Sequence, residues 1–309
     1  MKDQLVKAIA CSKHVRLYAV SSTQMVQEAK DRFDLYPTSA AALGRVLSVA
    51  SIMGSMLKSD QEMLTINIQG GGPIGSIVVD AYFNGNVRGF VSNPHAEAPS
   101  KADGHLNVGA VVGNVGTLTV TKDLSMQENW SGSVALQTGE IGEDFAYYFT
   151  LSEQTPTAVS VGVKVGTDGN IVSAGALVLQ IMPDAEEADI VMCEHMLSGL
   201  KPMSQIVEEY SDSDMTEFVK ALFDDVKVLS EQPVAFKCTC SREKTEALLK
   251  TVSEDELKAM IEEDKGAEVT CHFCNEVYHF TQDELKKILE ETQKNMEETA
   301  DLEEHVVSD

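Results

Sequence analysis

The sequence predicts an α+β protein built in parts: an N-terminal core domain of mixed β-sheet and helices, a helical linker, and a small C-terminal zinc-binding domain. Three observations lead to this prediction. Segments with the period of strands and segments with helical spacing both occur in residues 1–183. Short amphipathic helices, separated by glycine, proline and a Ser-Asp run, fill residues 184–230. Four of the six cysteines then stand in two close pairs within residues 231–290.

The charge and composition of the 309-residue chain limit the classes of partner that it is expected to bind. The formal net charge is −25, whereas binding to nucleic acid or to an anionic membrane surface requires a basic patch. No apolar run approaches the roughly 18 residues of a membrane span. Asp3 and Lys7 interrupt the N-terminus, so we expect no signal peptide. We therefore predict a cytoplasmic protein without nucleic-acid or membrane partners, and in that compartment paired cysteines are usually metal ligands or redox groups.

Two helices are predicted near the start of the core domain. The first covers residues 22–33, with Ser22 or Thr23 as its N-cap. The second begins at Pro37 and ends at Ser59. It is rich in alanine, serine and leucine and is apolar around much of its circumference, so we expect it to be buried at the centre of the domain.

Beyond the second helix the sequence changes to the two-residue period of strands. Hairpin turns are predicted at the Asn-Gly-Asn of residues 84–86 and at the Asp-Gly-Asn of residues 168–170. A helix is predicted over residues 140–154. The segments with strand character are 63–69, 75–83, 87–93, 116–124, 132–138 and the hairpin 160–181.

The linker and the end of the chain contain three sequence signals for helix starts. Asp214 with Glu217, Ser253 with Glu256, and Thr281 with Glu284 have the spacing of capping boxes, and each precedes an apolar helical stripe. The linker helices either lack a core of their own or pack as a hairpin on the first domain, and the sequence leaves both arrangements open. Residues 291–309 are acidic, and we expect a frayed or disordered tail there.

The two thiol pairs are the strongest chemical signal in the sequence. Cys238 and Cys240 form a C-x-C pair, and Cys271 and Cys274 form a C-x₂-C pair. Residues 241–270 lie between them. Two close pairs joined by a loop commonly assemble a tetrahedral site of four thiolates, which suits Zn²⁺. We therefore predict one zinc ion per chain, bound by these four cysteines. A Cys₃His site that uses His272 or His279 is a weaker alternative.

The size of the C-terminal domain makes the metal important for folding. A domain of about 60 residues buries little surface and is marginal alone, whereas structural zinc supplies roughly 10–16 kcal/mol in small zinc peptides. Thiolates are also the form that peroxide or hypochlorous acid attacks, and each pair is close enough to close into a local disulfide. The spacing alone nevertheless favours a permanent structural zinc over a switch.

The remaining candidate sites have ordinary structural interpretations. Cys11 and Cys193 are isolated in the sequence, and each is expected to be a small buried hydrophobic residue. The glycine-rich stretch Gly70–Gly75 lacks the Gly-Lys-Ser/Thr of a phosphate-binding loop and joins two predicted strands, so we expect a tight turn beside a close backbone contact.

No pattern in the sequence indicates an enzyme. Glu140, Glu143 and Asp144 would suit acid–base chemistry, but they stand in the first turn of a predicted helix, where acidic residues are expected. No nucleophile elbow or HExxH motif is present. The aromatic residues 147–149 are core material if packed and an adhesive surface if exposed.

Together with other motifs along the chain, the two thiol pairs make the sequence resemble a known family, the heat-shock protein 33 family of bacterial holdase chaperones. The resemblance covers roughly residues 3 to 290 and rests on several motifs taken in order. These are GGGPIG, GEIGEDFAYYFTLSEQTP, SAGALVLQIMP, FKCTCSREK and CHFCNEVYHFTQDEL. Gly142 and Ala176 depart from the family pattern, where Ala and Gly are expected, and neither is near a thiol motif.

The resemblance implies a mechanism. In the reduced state Cys238, Cys240, Cys271 and Cys274 would bind one zinc ion and the protein would be inactive. Oxidants, helped by mild unfolding, would form the disulfides Cys238–Cys240 and Cys271–Cys274, so that zinc leaves, the module unfolds and the linker loosens. The oxidised protein would form a homodimer and hold unfolding client proteins without ATP.

Two other functions compete with this interpretation. The first is a zinc-ribbon adaptor with a permanent structural zinc, which would bind nucleic acid or the transcription machinery. Residues 231–290 contain 14 acidic and eight basic residues, which counts against nucleic acid. The second is a thiol oxidoreductase using the C-x₂-C pair. That class places the pair at a helix start after a strand in a βαβ setting, whereas here a C-x-C pair and capped short helices surround it.

Overall fold

The computed structural model describes residues 2–126 and 128–306. The chain forms two compact units that divide between Lys237 and Cys238. Both units combine helices with antiparallel sheets, which confirms the predicted α+β class.

The first unit contains two five-stranded antiparallel sheets. The first sheet has the strand order β10-β1-β2-β9-β8, so that its strands come from both ends of the unit. Its members are β1 (Gln4–Ala10), β2 (Val15–Ser21), β8 (Thr157–Val165), β9 (Ile171–Ile181) and β10 (Lys227–Pro233). The predicted hairpin turn at residues 168–170 connects β8 to β9.

The second sheet has the strand order β5-β4-β3-β6-β7. Its members are β3 (Met63–Gln69), β4 (Ser76–Tyr82), β5 (Val87–Val91), β6 (Thr117–Asp123) and β7 (Trp130–Ala135). All five were predicted within a few residues. The turn between β4 and β5 is the predicted Asn-Gly-Asn, and Gly85 there has a φ of 74° that favours glycine.

Four helices accompany the sheets: α1 (Thr23–Phe33), α2 (Pro37–Ser55), α3 (Val108–Val112) and α4 (Gly142–Leu151). Every residue of α2 except Pro37 and Arg45 is buried, and α2 packs against strands of both sheets. This confirms the predicted central helix. It ends four residues before the predicted end, because the chain turns at Ser55 and Met56 instead of continuing to Ser59.

The turn between β1 and β2 has an unusual backbone. Cys11, Ser12 and Lys13 all have positive φ angles, of 49°, 53° and 82°, although none of them is glycine. The left-handed conformation costs roughly 1–2 kcal/mol per residue. The Asp225 carboxylate stabilises the turn, because it accepts hydrogen bonds from the backbone N–H groups of Cys11 at 2.9 Å and Ser12 at 2.7 Å.

The linker contains α5 (Glu187–Ser198), α6 (Met203–Glu209) and α7 (Met215–Lys220). Of the two arrangements left open by the sequence, the structure has the packed one, in which the linker shares an apolar cluster with the first sheet. The linker residues buried in this cluster are Cys193, Met203, Ile206, Val207, Met215, Phe218, Val219 and Phe223. The Asp214 carboxylate caps α7 by accepting from the N–H of Glu217 at 3.0 Å.

The last segment of the first unit runs along the edges of both sheets. β10 pairs with β1 at one edge of the first sheet, so the expected boundary between residues 230 and 231 falls inside a strand. The chain then meets β5 at an edge of the second sheet, where Lys237 donates its N–H to the carbonyl of Val87 at 2.7 Å. Residues 227–237 therefore join the two sheets immediately before Cys238.

The second unit is a small α+β module. It contains α8 (Arg242–Leu249), α9 (Glu254–Ala259), which continues as a π-helical turn, β11 (Gly266–Thr270), β12 (Val277–Thr281) and α10 (Gln282–Val306). Among residues 238–294, whose side chains the structure describes, six buried apolar side chains form a core cluster, those of Leu249, Leu257, Ile261, Phe280, Leu285 and Ile288. A core of this size supports the expectation that the module is marginal alone.

Both predicted helix starts in the module are confirmed. Ser253 caps α9, and its hydroxyl also donates to the Glu256 carboxylate at 2.7 Å. At α10 the capping box is reciprocal, because the Thr281 N–H donates to Glu284 at 2.8 Å and the Glu284 N–H donates to the Thr281 hydroxyl at 3.4 Å.

The expectation of a frayed tail from residue 291 differs from the structure, in which α10 continues to Val306. The acidic charge suggested disorder, but the segment consists mainly of good helix formers and extends a helix that is already capped. Residues 307–309 of the predicted tail lie outside the described residues.

The central helix gives a direct test of the fold. Leu47 is fully buried in α2, so Leu47→Ala should lower the free energy of unfolding of the first unit by about 2–5 kcal/mol. Urea unfolding followed by the fluorescence of Trp130, the one tryptophan in the chain, measures this loss. Leu151→Ala is the matched control, because Leu151 is 55% exposed and its loss should stay within about 1 kcal/mol. Equal losses for the two variants would contradict the assigned core.

Candidate metal centre

Two short segments of the second unit carry the four predicted thiols. Cys238 and Cys240 lie in the segment between β10 and α8, and Cys271 and Cys274 lie in the turn between β11 and β12. The structure brings all four together, so that their sulfur atoms lie within 4.8 Å of one another.

The sulfur positions fit a tetrahedral metal site. Cys238 Sγ is 3.8 Å from Cys271 Sγ, and Cys240 Sγ is 3.4 Å from Cys274 Sγ. A zinc–sulfur bond of about 2.3 Å places the sulfurs of a tetrahedron about 3.8 Å apart. A disulfide requires about 2.05 Å, and no disulfide joins any two of the four cysteines. The four cysteines could therefore hold a metal ion.

The turn between β11 and β12 is shaped to present its two thiols together. The N–H groups of Cys274 and Asn275 both donate to the Cys271 carbonyl, at 3.3 and 2.8 Å, and the Cys271 N–H donates to the Glu276 carbonyl at 2.9 Å. Asn275 has a φ of 58°, a conformation that asparagine tolerates better than most residues. These bonds fix the backbone of the C-x₂-C pair.

The C-x-C pair is held by the start of α8. Ser241 caps this helix by accepting from the N–H of Lys244 at 3.3 Å, and the Lys244 ammonium donates to the Thr239 carbonyl at 2.7 Å. Arg242 donates to the His279 carbonyl at 2.8 Å and to the Glu284 carboxylate at 2.7 Å. These contacts attach the C-x-C segment to β12 and to the first turn of α10.

Tyr278 contacts the thiol cluster from β12. Its phenolic O–H donates to Cys240 Sγ at 3.2 Å. The hydrogen bond to Cys240 and partial burial raise the pKa of Tyr278, which keeps the phenol protonated as a donor. A donor of this kind lowers the charge density on a thiolate and orients it, as outer-shell groups do around metal ligands.

The electrostatics of the cluster favour a cation. Burial raises the pKa of Cys271 and, more strongly, that of Cys274, because a thiolate in this pocket has lost its hydration. Four neighbouring thiolates would also repel one another. A divalent cation removes both penalties and holds the sulfurs as thiolates. Thiolate donors suit soft or borderline metals such as Zn²⁺.

The histidines are not part of the cluster. In the part of the chain that the structure describes, the potential metal-ligand group consists of the four cysteines. His272 is exposed in the C-x₂-C loop. His279 lies on β12 with its Nδ1 3.4 Å from the Glu268 carboxylate. The arrangement favours Cys₄ over the Cys₃His alternative.

The acidic residues of α4 have structural roles. The Asp144 carboxylate is buried and accepts four backbone N–H groups of residues 137–141. Glu140 pairs with Arg45 and Lys101, each at 2.7 Å. Glu143 is exposed. These contacts give Asp144 and Glu140 structural roles at the start of α4.

The glycine-rich turn and the aromatic residues also have packing roles. A side chain at Gly70 or Gly72 would collide with the backbone of residues 111–113, which is the close backbone contact that the sequence predicts. Tyr148 and Phe149 are buried, and the Tyr148 hydroxyl donates to Glu153 at 2.8 Å. They are therefore core residues of the first unit.

Comparison with known proteins agrees with this geometry. The model of the family described as Hsp33 protein matches residues 3–281. The chain belongs to the Hsp33 family. This confirms the resemblance found in the sequence motifs.

Several relatives of the Hsp33 family support the assignment. The 33 kDa chaperonin of Halalkalibacterium halodurans is 46% identical over 293 residues, which cover 94% of this chain and 100% of the relative. The 33 kDa chaperonin of Bacillus cytotoxicus is 46% identical, with coverage of 94% and 99%. The crystal structure of the 33 kDa chaperonin (heat shock protein 33 homolog) of Thermotoga maritima has a TM-score of 0.86 at 30% identity and covers 95% of this chain and 100% of that chain. Membership in this family supports a chaperone role.

A helix that spans a membrane needs about 20 predominantly apolar residues. Across residues 2–126 and 128–306, no helix combines the length and the apolar character that crossing a bilayer would need.

The contact of Tyr278 with Cys240 can be tested through metal affinity. Tyr278→Phe removes the O–H donor and should weaken binding of Zn²⁺ by about tenfold, the lower end of outer-shell effects. Competition between the reduced chain and a chromophoric chelator measures the affinity. His279→Gln is the control, since His279 lies on the same strand but faces Glu268. An unchanged affinity for Tyr278→Phe would mean that the hydrogen bond does not stabilise the site.

Proposed function

We propose that this chain is a cytoplasmic, ATP-independent holdase chaperone that is inactive when reduced and becomes active on oxidation. The observation that carries the proposal is the cluster of four cysteine thiols, whose sulfur atoms lie within 4.8 Å of one another in a module with a small core. The names of the relatives support the chaperone part, and the chemistry of the thiols supports the redox part. The proposed role is binding rather than catalysis.

In the proposed reduced state, Cys238, Cys240, Cys271 and Cys274 hold one Zn²⁺ ion. The bound ion supplies folding free energy to the module and keeps the sulfurs as thiolates. The hydrogen bonds within the β11–β12 turn and the cap of α8 orient the two pairs toward each other. The packed linker helices then keep their apolar side chains buried against the first sheet.

Oxidation removes the ligands in pairs. A thiolate of one pair attacks peroxide, the O–O bond breaks, and a sulfenic acid forms. The second sulfur of the pair displaces the oxygen as water or hydroxide, and a disulfide results. Closing both Cys238–Cys240 and Cys271–Cys274 uses two peroxide molecules and leaves no thiolate to bind the ion. Because these disulfides close short local loops, they would not replace the metal as a link between the two segments.

Loss of the metal would affect the linker through the segment of backbone that connects it to the module. Lys237, the last residue that joins the two sheets, directly precedes Cys238. Segment 227–237 is an edge segment, so unfolding of the module frees its end. Loosening of α6 and α7 would expose apolar residues of the linker cluster, such as Met203, Phe218 and Phe223. We propose that these surfaces bind unfolded client proteins and that the oxidised protein forms a homodimer.

Metal removal tests the dependence of the module on zinc. When a strong chelator removes the metal from the reduced chain, the amide groups of α8, α9 and β12 should lose their protection from hydrogen exchange, because the module core is small. Amide groups of α2 in the same sample are the internal control and should keep their protection. Full protection of the module without metal would show that zinc is not needed for its fold.

The chaperone activity is tested with a client enzyme that aggregates on warming. Zinc-loaded reduced protein should suppress light scattering weakly, and peroxide-treated protein should suppress it strongly at about one chain per client. Treatment of the oxidised protein with a thiol reductant and zinc is the control and should reverse the gain. Equal activity in the two states would rule out the switch. Absence of activity in both states would favour the alternative of an adaptor with a permanent zinc.

A further inference from the structure

The two cysteines outside the metal centre are neighbours in the fold. Cys11 lies in the turn between β1 and β2, and Cys193 lies in α5, yet they share one apolar cluster and their thiols interact. Both are buried, at 6% and 3% exposure. The residue that precedes Cys193 in α5, Met192, places its Sδ 3.9 Å from Cys11 Sγ. The prediction that each cysteine is buried is confirmed. Because they are far apart in the sequence, the sequence does not predict that they are neighbours in the fold.

The exposure of its side chains shows how helix α5 contacts the core. Within α5, all of whose residues the structure describes, Cys193 is the one residue that is buried. Ile190, Val191 and Met192 are 40%, 56% and 51% exposed. Cys193 is therefore the most deeply buried contact of α5 with the core, Met196 packs in part against the same cluster, and Cys11 belongs to that cluster from the side of the β1–β2 turn.

Polar contacts around the pair hold the two elements in register. The Asp189 carboxylate in α5 contacts His14 Nδ1 at 2.6 Å. The Asp225 carboxylate, which follows α7, fixes the left-handed turn that carries Cys11. The turn, α5 and the segment that follows α7 are thus linked around the two thiols, neither of which is in a disulfide.

We propose that Cys11 and Cys193 form a second oxidisable thiol pair, whose disulfide would tie helix α5 to the turn between β1 and β2. One thiolate attacks hydrogen peroxide, the O–O bond breaks, and a sulfenic acid and hydroxide form. The other thiol attacks the sulfenic sulfur, the S–O bond breaks, the S–S bond forms, and water leaves. In total two thiols lose two electrons and two protons, and one peroxide is reduced to two waters.

The environment makes this pair slower to oxidise than metal-bound thiolates. Burial and the neighbouring Cys11 raise the pKa of Cys193 to about 12, and burial with the carboxylates of Asp189 and Asp225 raises the pKa of Cys11. Both groups are therefore thiols at neutral pH while α5 is packed, and thiolates are the reactive form. Brief opening of α5 would admit the oxidant, and reclosing would form the disulfide.

The expected consequence of the Cys11–Cys193 disulfide is that it restrains the linker. A disulfide at its single buried position would hold α5 on the core when the rest of the linker loosens. This consequence rests on the proposed function, in which loosening of the linker accompanies activation, whereas formation of the disulfide does not depend on it. The pair would thus limit the response under prolonged oxidation.

The experiment uses the full zinc-loaded chain at low concentration. Samples taken during exposure to hydrogen peroxide are alkylated, digested without reductant and analysed by mass spectrometry. We expect a peptide pair linked through Cys11 and Cys193, from monomeric chains, that appears after oxidation of the four module cysteines. Hydrogen exchange of α5 amide groups in linked chains should slow by about tenfold or more relative to Cys193→Ser chains given the same treatment.

Three results would overturn the inference. Full alkylation of Cys11 and Cys193 after the module cysteines have been oxidised would show that the pair does not close. Linkage of either residue to a module cysteine or to another chain would assign different chemistry. A linked pair with unchanged hydrogen exchange of the α5 amide groups would show that the disulfide does not restrain the linker. Failure of the proposed function would show instead as unchanged client protection after oxidation, so the two failures are distinguishable.

Discussion

The second unit depends on the close approach of four thiols. Their sulfurs lie within 4.8 Å of one another, an arrangement that burial and mutual repulsion disfavour for thiolates and that a divalent cation stabilises. In the part of the module with described side chains, residues 238–294, six buried apolar side chains form the core cluster. Thiolates are the form of cysteine that reacts with oxidants, so under the proposed function the folding of the module and its redox state would depend on the same four sulfur atoms.

Within the first unit, the segment that leads to this module runs along the edges of both sheets. The linker helices cover one part of the first sheet, β10 lies at the edge of that sheet, and residues 235–237 pair with β5 at the edge of the second sheet. Edge strands and surface helices open at lower free energy than central elements. The buried α2, which contacts both sheets, can keep the core folded while these peripheral parts loosen. The Cys11–Cys193 pair lies where the least buried linker helix meets this core.

Prediction from the sequence succeeded where the side-chain pattern determines the structure. The strands of the second sheet alternate, α2 is apolar on nearly all sides, and the four module cysteines have metal-ligand spacing. The sequence predicts no strand at β1 or β2. Leu5 and Val6 of β1 are both buried, and so are Ala19, Val20 and Ser21 of β2, and these runs break the alternation. The mostly exposed β10 is held by backbone hydrogen bonds, so its side chains give little signal. The contact between Cys11 and Cys193 joins residues far apart in the sequence, and a single sequence carries no signal for it.

The central claim is that the thiols that hold the metal are the ones whose oxidation releases it. The most direct measurement follows free thiols and released zinc together while peroxide is added to the reduced, zinc-loaded chain. We expect the first four thiols to be lost together and one zinc ion to be released for those four. The modified residues should be Cys238, Cys240, Cys271 and Cys274. Zinc retained after these thiols are oxidised, or released while they remain reduced, would contradict it.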